Sequence, residues 1–243
     1  MTHPFELNQA IELAATPEQV WDAIATGPGV DSWFMGRTEI GTSVGDPASL
    51  TMMGNVGRST ITAYEPGARF AVRGEETSDG RFMATEYLIE GRAGGATTLR
   101  IVQSGMLGDD WETEFEALKA GWPLYLETLR QYLAHFTGRT PSVTTVLRPG
   151  AGGADALWKT VTEALGTTPD VAEGDEVRLP DGSAGVVYHA ILPVGLGVRT
   201  REGLYRFVHS GDHRGDVLVL GHQNFTGRDE QAAWDTWTAG HFA

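Results

Sequence analysis

Residues 110–136 read DWETEFEALKAGWPLYLETLRQYLAHF, and this stretch decides the fold. Trp111, Phe115, Leu118, Trp122, Leu126, Leu129, Leu133 and Phe136 recur in steps of three and four. That spacing predicts one apolar stripe along a long helix, with Glu112, Glu116, Lys119, Glu127 and Arg130 on the remaining surface. Gly121 and Pro123 interrupt its middle, and because proline lacks a backbone donor a kink is expected there. A helix carrying so much aromatic bulk on one side needs a large concave partner.

The preceding residues have the texture of such a partner. Residues 5–15 (FELNQAIELAA) alternate apolar and polar positions as a half-buried strand does. Thr16-Pro17-Glu18 then reads as a helix start, with a hydroxyl cap, proline in the first turn and an early carboxylate. Val20, Trp21 and Ile24 form its inward face, and Gly27-Pro28-Gly29 is expected to end it, with a short helix or turn over 30–35. Strands are predicted at 37–41, 48–53, 57–64, 69–74, 82–90 and 97–104, separated by Glu65-Pro66-Gly67, Ser78-Asp79-Gly80 and Gly94-Gly95. Consecutive strands on short links imply an antiparallel meander.

After Gly138 the pattern starts again, with a strand at 142–147, a helix at 154–165, strands near 176–179, 184–190, 195–200, 204–209 and 217–222, and a closing helix at 229–240. Trp21-Asp-Ala-Ile-Ala matches Trp158-Lys-Thr-Val-Thr, and Leu118-Lys-Ala-Gly-Trp122 matches Trp237-Thr-Ala-Gly-His241. The landmarks lie 100 positions apart in the first half (Trp21 to Gly121) and 82 in the second (Trp158 to Gly240), so the second copy is shorter. Two domains are therefore expected, 1–138 and 139–243, the latter a shortened, degenerate repeat. The fold class is α+β: a curved antiparallel sheet wrapped around a long C-terminal helix, followed by a second shortened copy.

Composition removes several function classes. A formal charge of −14 opposes general nucleic-acid binding and electrostatic docking on anionic membrane. The absence of cysteine rules out disulfides, thiol nucleophiles and thiolate metal sites. No apolar run approaches the roughly 18 residues of a membrane span, and no leader pattern is visible, so membrane insertion is not expected and a cytoplasmic location is. Phosphate-loop patterns are missing, and Lys119 and Lys159 are the only lysines. Gly150 to Gly153 reads as a linker into a helix rather than an anion site.

The order strand, helix pair, six-strand meander and long helix resembles the SRPBCC (START/Bet v 1-like) superfamily. Within it, the chain is similar to the bacterial branch related to the Hsp90-ATPase activator C-terminal domain. The resemblance is carried by Ala15-Thr-Pro-Glu-Gln-Val-Trp-Asp-Ala-Ile24, by Trp33, and by Tyr64-Glu-Pro-Gly-Ala-Arg-Phe70. Gly95-Ala-Thr-Thr-Leu99, Gln103-Ser-Gly105 and Ala120-Gly-Trp122 with Leu126 complete it. It spans roughly residues 5–137 and implies a helix-grip fold, often with an apolar cavity between sheet and helix. Family roles include carrying hydrophobic small molecules, aromatic polyketide cyclisation and assisting a chaperone.

The expected ligand site is lined by Trp33, Phe34, Met52, Phe70, Met83, Tyr87, Trp111, Phe115, Trp122 and Leu126, an apolar set with few polar groups, as small-molecule pockets have. The leading expectation is a carrier or sensor of an apolar small molecule. A protein-interaction module is the alternative, and a cyclase- or hydrolase-like enzyme using Glu86, Tyr87, Asp110 or Glu114 is the third reading. No G-x-S-x-G elbow is present, and no catalytic residue or cofactor is assigned. His189, His209, Asp212, His213 and His222 could supply metal ligands, but a turn signal at Ser210-Gly211 spoils helical His-x-x-x-His geometry, and no metal is expected. The oligomeric state is not legible.

Overall fold

The computed structural model describes residues 1–52, 54–149, 152–211 and 215–242. The chain divides into two compact units, Met1–Gly138 and Arg139–Ala243. Both combine antiparallel sheet with helices, and a long helix follows the first sheet, so the class is mixed α+β.

In the first unit, β1 (His3–Leu13) leads into α1 (Pro17–Ala25) and α2 (Gly27–Asp31). The strands β2 (Arg37–Ile40), β3 (Pro47–Met52), β4 (Asn55–Glu65), β5 (Arg69–Gly74), β6 (Phe82–Gly91) and β7 (Thr97–Leu107) follow, then α3 (Trp111–His135). The strand order is β1-β7-β6-β5-β4-β3-β2, a meander whose last strand returns to pair with the first. All neighbours are antiparallel, and the register His3↔Leu107 through Leu13↔Thr97 locks β1 to β7 over its whole length. Phe5, Leu7, Ile11 and Leu13 of β1 are buried in alternation, as the period-two pattern requires.

Helix α1 begins as its sequence predicts. The Thr16 hydroxyl accepts from the Gln19 backbone N–H at 3.3 Å, while the Gln19 side chain accepts from the Thr16 N–H at 2.9 Å. This reciprocal capping box satisfies two end groups of the helix. Helix α1 ends at Ala25, just ahead of Gly27-Pro28-Gly29 as expected, but those three residues already belong to α2, which starts earlier than position 30. Thr26 caps both elements, accepting from Gly29 N–H at 3.1 Å and donating to Asp22 O at 2.7 Å. The glycines are there for close approach: a Cβ at Gly27 would sit 2.3 Å from Thr38 O, and one at Gly29 would sit 1.9 Å from Asp22 O.

Helix α3 continues through Gly121 and Pro123, although Pro123 has no N–H to give to the preceding turn. It packs on the concave side of the sheet, with Phe115 edge-on to Phe5 of β1 at 6.4 Å and Trp122 bonded to Gln103 of β7. A curved sheet with a long helix across it is the arrangement expected from residues 110–136.

In the second unit, β8 (Ser142–Pro149) and α4 (Ala154–Ala164) precede β9 (Glu176–Arg178), β10 (Ala184–Ile191), β11 (Gly195–Arg199), β12 (Gly203–His209), β13 (Val217–Asn224) and α5 (Gln231–His241). Its strand order, β8-β13-β12-β11-β10-β9, again closes the last strand onto the first. Leu157, Trp158 and Val161 of α4 pack against Leu196, Val198, Phe207, Leu218 and Leu220 of the sheet, making a filled apolar core. The Trp158 indole N–H donates to Pro193 O at 2.8 Å, so its polar edge is satisfied at the rim of that core.

Candidate functional site

In the first unit the sheet and helices do not close on one another completely. A cavity of about 380 Å³ remains between them. Strand alternation brings Phe70 and Val72 of β5 and Met83, Thr85 and Tyr87 of β6 to its wall. Ile24 of α1, Val30 of α2 and Phe34 close one side; Leu50 of β3 and Arg58 of β4 flank another, and Trp122 is the contribution of α3. The volume lies in the range of small-molecule pockets, which are mostly apolar with a few placed polar groups.

Those polar groups have a definite order. Trp122 Nε1–H donates to Gln103 Oε1 at 2.5 Å, and Gln103 Nε2 reaches Met83 Sδ at 3.4 Å and Thr85 Oγ1 at 3.5 Å. Gln103 thus anchors the α3 indole to the floor of the cavity through one carbonyl and one amide. Tyr87 stacks on Phe70, ring centres 6.1 Å apart. Burial pushes the Tyr87 hydroxyl pKa up, because the phenolate would have to exist in apolar surroundings. The group therefore stays protonated, able to donate to a ligand oxygen but not to act as a base. Behind the wall, Asp31 accepts from Thr38 N–H at 2.8 Å and faces Arg37 at 3.5 Å, with its pKa raised by desolvation.

Of the ten residues read as ligand-lining, the structure brings Phe34, Phe70, Met83, Tyr87 and Trp122 together around the cavity. The other five lie elsewhere. Trp33 is 1% exposed and spends its indole N–H on Ala23 O at 2.9 Å. At the start of α3, Trp111 stacks on His3 at 5.5 Å and Phe115 meets Phe5 edge to face. Leu126 is buried and Met52 half-buried at the end of β3, neither on the cavity wall. Gln103 was missed as a site residue, yet a signal existed: it continues the buried alternation Leu99, Ile101, so a polar side chain there had to point inward.

The carboxylates considered for acid–base work are placed away from the cavity. Glu86 pairs with Arg69 at 2.6 Å, and Asp110 accepts from the Thr113 hydroxyl at 2.7 Å at the start of α3. Neither Glu86, Asp110 nor Glu114 lines the cavity. Among the described residues no cluster of three or more metal-ligating side chains occurs. His209 Nε2 lies 2.7 Å from Asp216 Oδ1, whose other oxygen accepts from Gly153 N–H at 2.7 Å at the start of α4. Asp212, His213, Gly150 and Ala151 lie outside the described residues. His222 is fully buried between Tyr205, Phe207 and Trp234. Its Nδ1 accepts from Arg206 N–H at 3.1 Å, which leaves the proton on Nε2. Burial drives its pKa down to about 3, so the ring is neutral. No helix among the described residues is long and apolar enough to cross a membrane.

The family model described as polyketide cyclase / dehydrase and lipid transport matches residues 4–133. A protein from Mesorhizobium loti is similar at 21% identity and a TM-score of 0.49, over 54% of this chain and 98% of that one. The Aha1 dimer from Colwellia psychrerythraea is similar at 18% identity and a TM-score of 0.44, over 53% and 96%. DynU16, from the dynemicin biosynthetic locus, is similar at 19% identity and a TM-score of 0.47, over 92% of this chain and 88% of its own. No curated protein sequence matches the chain.

Proposed function

Since the chain belongs to the polyketide cyclase/dehydrase and lipid transport family through residues 4–133, we propose that its first unit, residues 1–138, binds a hydrophobic small molecule as a carrier or sensor. The observation that carries this is the cavity of about 380 Å³ walled by Phe34, Phe70, Met83, Tyr87 and Trp122. Leaving such a volume unfilled forgoes dispersion contacts that a packed core would make. A ligand of matching shape restores them and removes its own apolar surface from water, at roughly 25 cal/mol per Å². Arg58 at the rim adds a direction. Among the described residues its guanidinium forms no ion pair, so a ligand with an acidic or carbonyl head beyond an apolar body suits the site.

The test is uptake of N-phenyl-1-naphthylamine, a neutral fluorophore that brightens in apolar surroundings. The wild-type chain should take it up saturably, and Met83→Trp, which fills the cavity from its own wall, should weaken uptake by about tenfold or more. Equal uptake by both proteins, or none by either, removes the reading.

A second reading is favoured by one group. Among the described residues no hydrogen bond reaches the Tyr87 hydroxyl, and its raised pKa keeps it a proton-bearing donor on the cavity wall. A cyclase-like step on a polyketide-like ligand would use it to polarise a carbonyl oxygen. Tyr87→Phe should then abolish turnover of such a substrate while leaving fluorophore uptake intact.

The second unit, residues 139–243, is read as a shortened copy of the first. Support comes from the shared strand order, in which the last strand closes on the first, and from the helix that follows the first strand in each. Among the described residues, the second unit has one strand fewer than the first and no counterpart of α2, and its closing helix has 11 residues against 25.

A further inference from the structure

The second unit carries a hollow of its own, unrelated to the cavity of the first. It measures about 80 Å³ and lies where α5 meets β12, between Tyr205, Trp234, Trp237, Glu230 and Asp181. The two indoles meet edge to face at 5.3 Å, and Tyr205 inclines to Trp234 at 5.9 Å, so three aromatic rings form adjoining walls. From this arrangement we infer that the second unit binds a small alkylated ammonium group.

Charge argues for a cation. Two carboxylates, Asp181 and Glu230, border the hollow. Arg228 lies 3.6 Å from Glu230, but its guanidinium is shared with Glu202. The negative potential is therefore not cancelled locally, and it sits in front of indole faces whose quadrupoles also attract positive charge. Desolvation raises the Glu230 pKa, and Asp181 adds to the shift by like-charge repulsion; a bound cation would oppose the shift by attracting the ionised carboxylates.

Hydrogen bonding argues for alkylation. Glu230 already accepts from Asn224 Nδ2 at 2.7 Å and from the Tyr205 hydroxyl at 3.3 Å. Its oxygens are largely engaged, and the ring faces offer no conventional acceptor. A primary ammonium brings three donors and would leave some unmet, whereas a methylated one presents apolar surface around its charge. The size agrees: the hollow is far below the roughly 300 Å³ of ordinary ligand pockets and suits one head group rather than a whole ligand.

The experiment titrates the full chain at constant ionic strength with choline chloride and, separately, with its neutral isostere 3,3-dimethylbutan-1-ol, following the indole N–H signals by NMR. Choline should move the Trp234 and Trp237 signals saturably and leave those of Trp21, Trp33, Trp111 and Trp122 in place. The alcohol should bind about tenfold more weakly or worse, the share a cation–π site assigns to charge. Trp237→Leu and Glu230→Gln should each weaken choline several-fold, with Glu230→Gln leaving the alcohol unchanged. Phosphocholine separates a free amine from a lipid head group: weaker binding, from phosphate meeting Asp181, supports the free amine, and tighter binding overturns that assignment. No saturable shift, equal affinity for the alcohol, or shifts confined to the first unit's indoles overturns the proposal. Should a variant unfold, the collapse of its signal dispersion reveals it, and the isostere comparison on the native chain still decides.

Discussion

The two sheets run the same course, closing their last strand onto their first, yet one surrounds a void and the other a solid core. In the first unit, α3 contributes Trp122 to a cavity wall and holds it there through Gln103. In the second, Trp158 of α4 and Trp234 of α5 fill the corresponding interior, and even the polar His222 is absorbed among aromatic rings. Strand order alone therefore does not make an interior cavity. The outcome depends on whether the helices bring enough side-chain volume to meet the sheet.

The largest expected effect tests that contrast directly. Phe207→Ala, in the filled core, should cost about 3–5 kcal/mol in urea denaturation of the second unit, from lost burial plus a new cavity. Met83→Ala, beside a void that already exists, should cost less than about 1.5 kcal/mol in the first unit, since it enlarges an existing opening. Equal losses would mean that the two interiors are packed alike.

The next effect is set by His222. The unfolded ring titrates near 6.5 and the folded one at about 3, so protons favour the unfolded chain. Its contribution is whole above pH 6.5 and is lost as pH falls toward 3, at about 1.4 kcal/mol per pH unit. Denaturation of the second unit from pH 7 to pH 4.5 should show this slope, and His222→Phe should flatten it. An unchanged slope in that variant would place the titration elsewhere.

Trp122→Phe keeps most of the ring but removes the donor to Gln103. Its expected cost is about 1–2 kcal/mol, because Gln103 is buried and its carbonyl is left unsatisfied. Thermal unfolding measures it, and Trp122→Phe combined with Gln103→Leu should recover part of the loss. The smallest effect belongs to Arg58→Ala at the rim. It should lower affinity for the anionic 1-anilinonaphthalene-8-sulfonate by only a few-fold and leave the neutral naphthylamine unaffected, as an exposed charge at the edge of a site does.

Much of this is legible in the sequence. Period-two runs at β1 and β7, the Thr16 cap and the stripe of α3 are local signals, and local physics is sufficient to form them. The end of α1 before Gly27-Pro28-Gly29 is legible, whereas the early start of α2 at Gly27 is not, because the close approach of Thr38 O that requires glycine there comes from a distant strand. The site divided in the same way. Phe70, Met83 and Tyr87 follow from strand alternation, whereas Trp33 and Trp111 are equally aromatic but are turned aside by partners distant in sequence, Ala23 O and His3. Gln103 is legible only as a polar residue at an inward position of β7, and not from the Gln103-Ser104-Gly105 motif that contains it.

The return of β7 to β1 has a consequence for how the chain is made. Residue 3 pairs with residue 107 and residue 13 with residue 97, so the opening strand emerges from the ribosome long before its partner exists. The meander between them can zip hairpin by hairpin as it appears, whereas β1 must wait unpaired until residues 97–107 have been added. In the second unit the same closure joins residue 142 to residue 224. Each half of the protein is thus sealed by its own final strand, and during synthesis the interval of greatest exposure to misassociation is set by the distance to that seal.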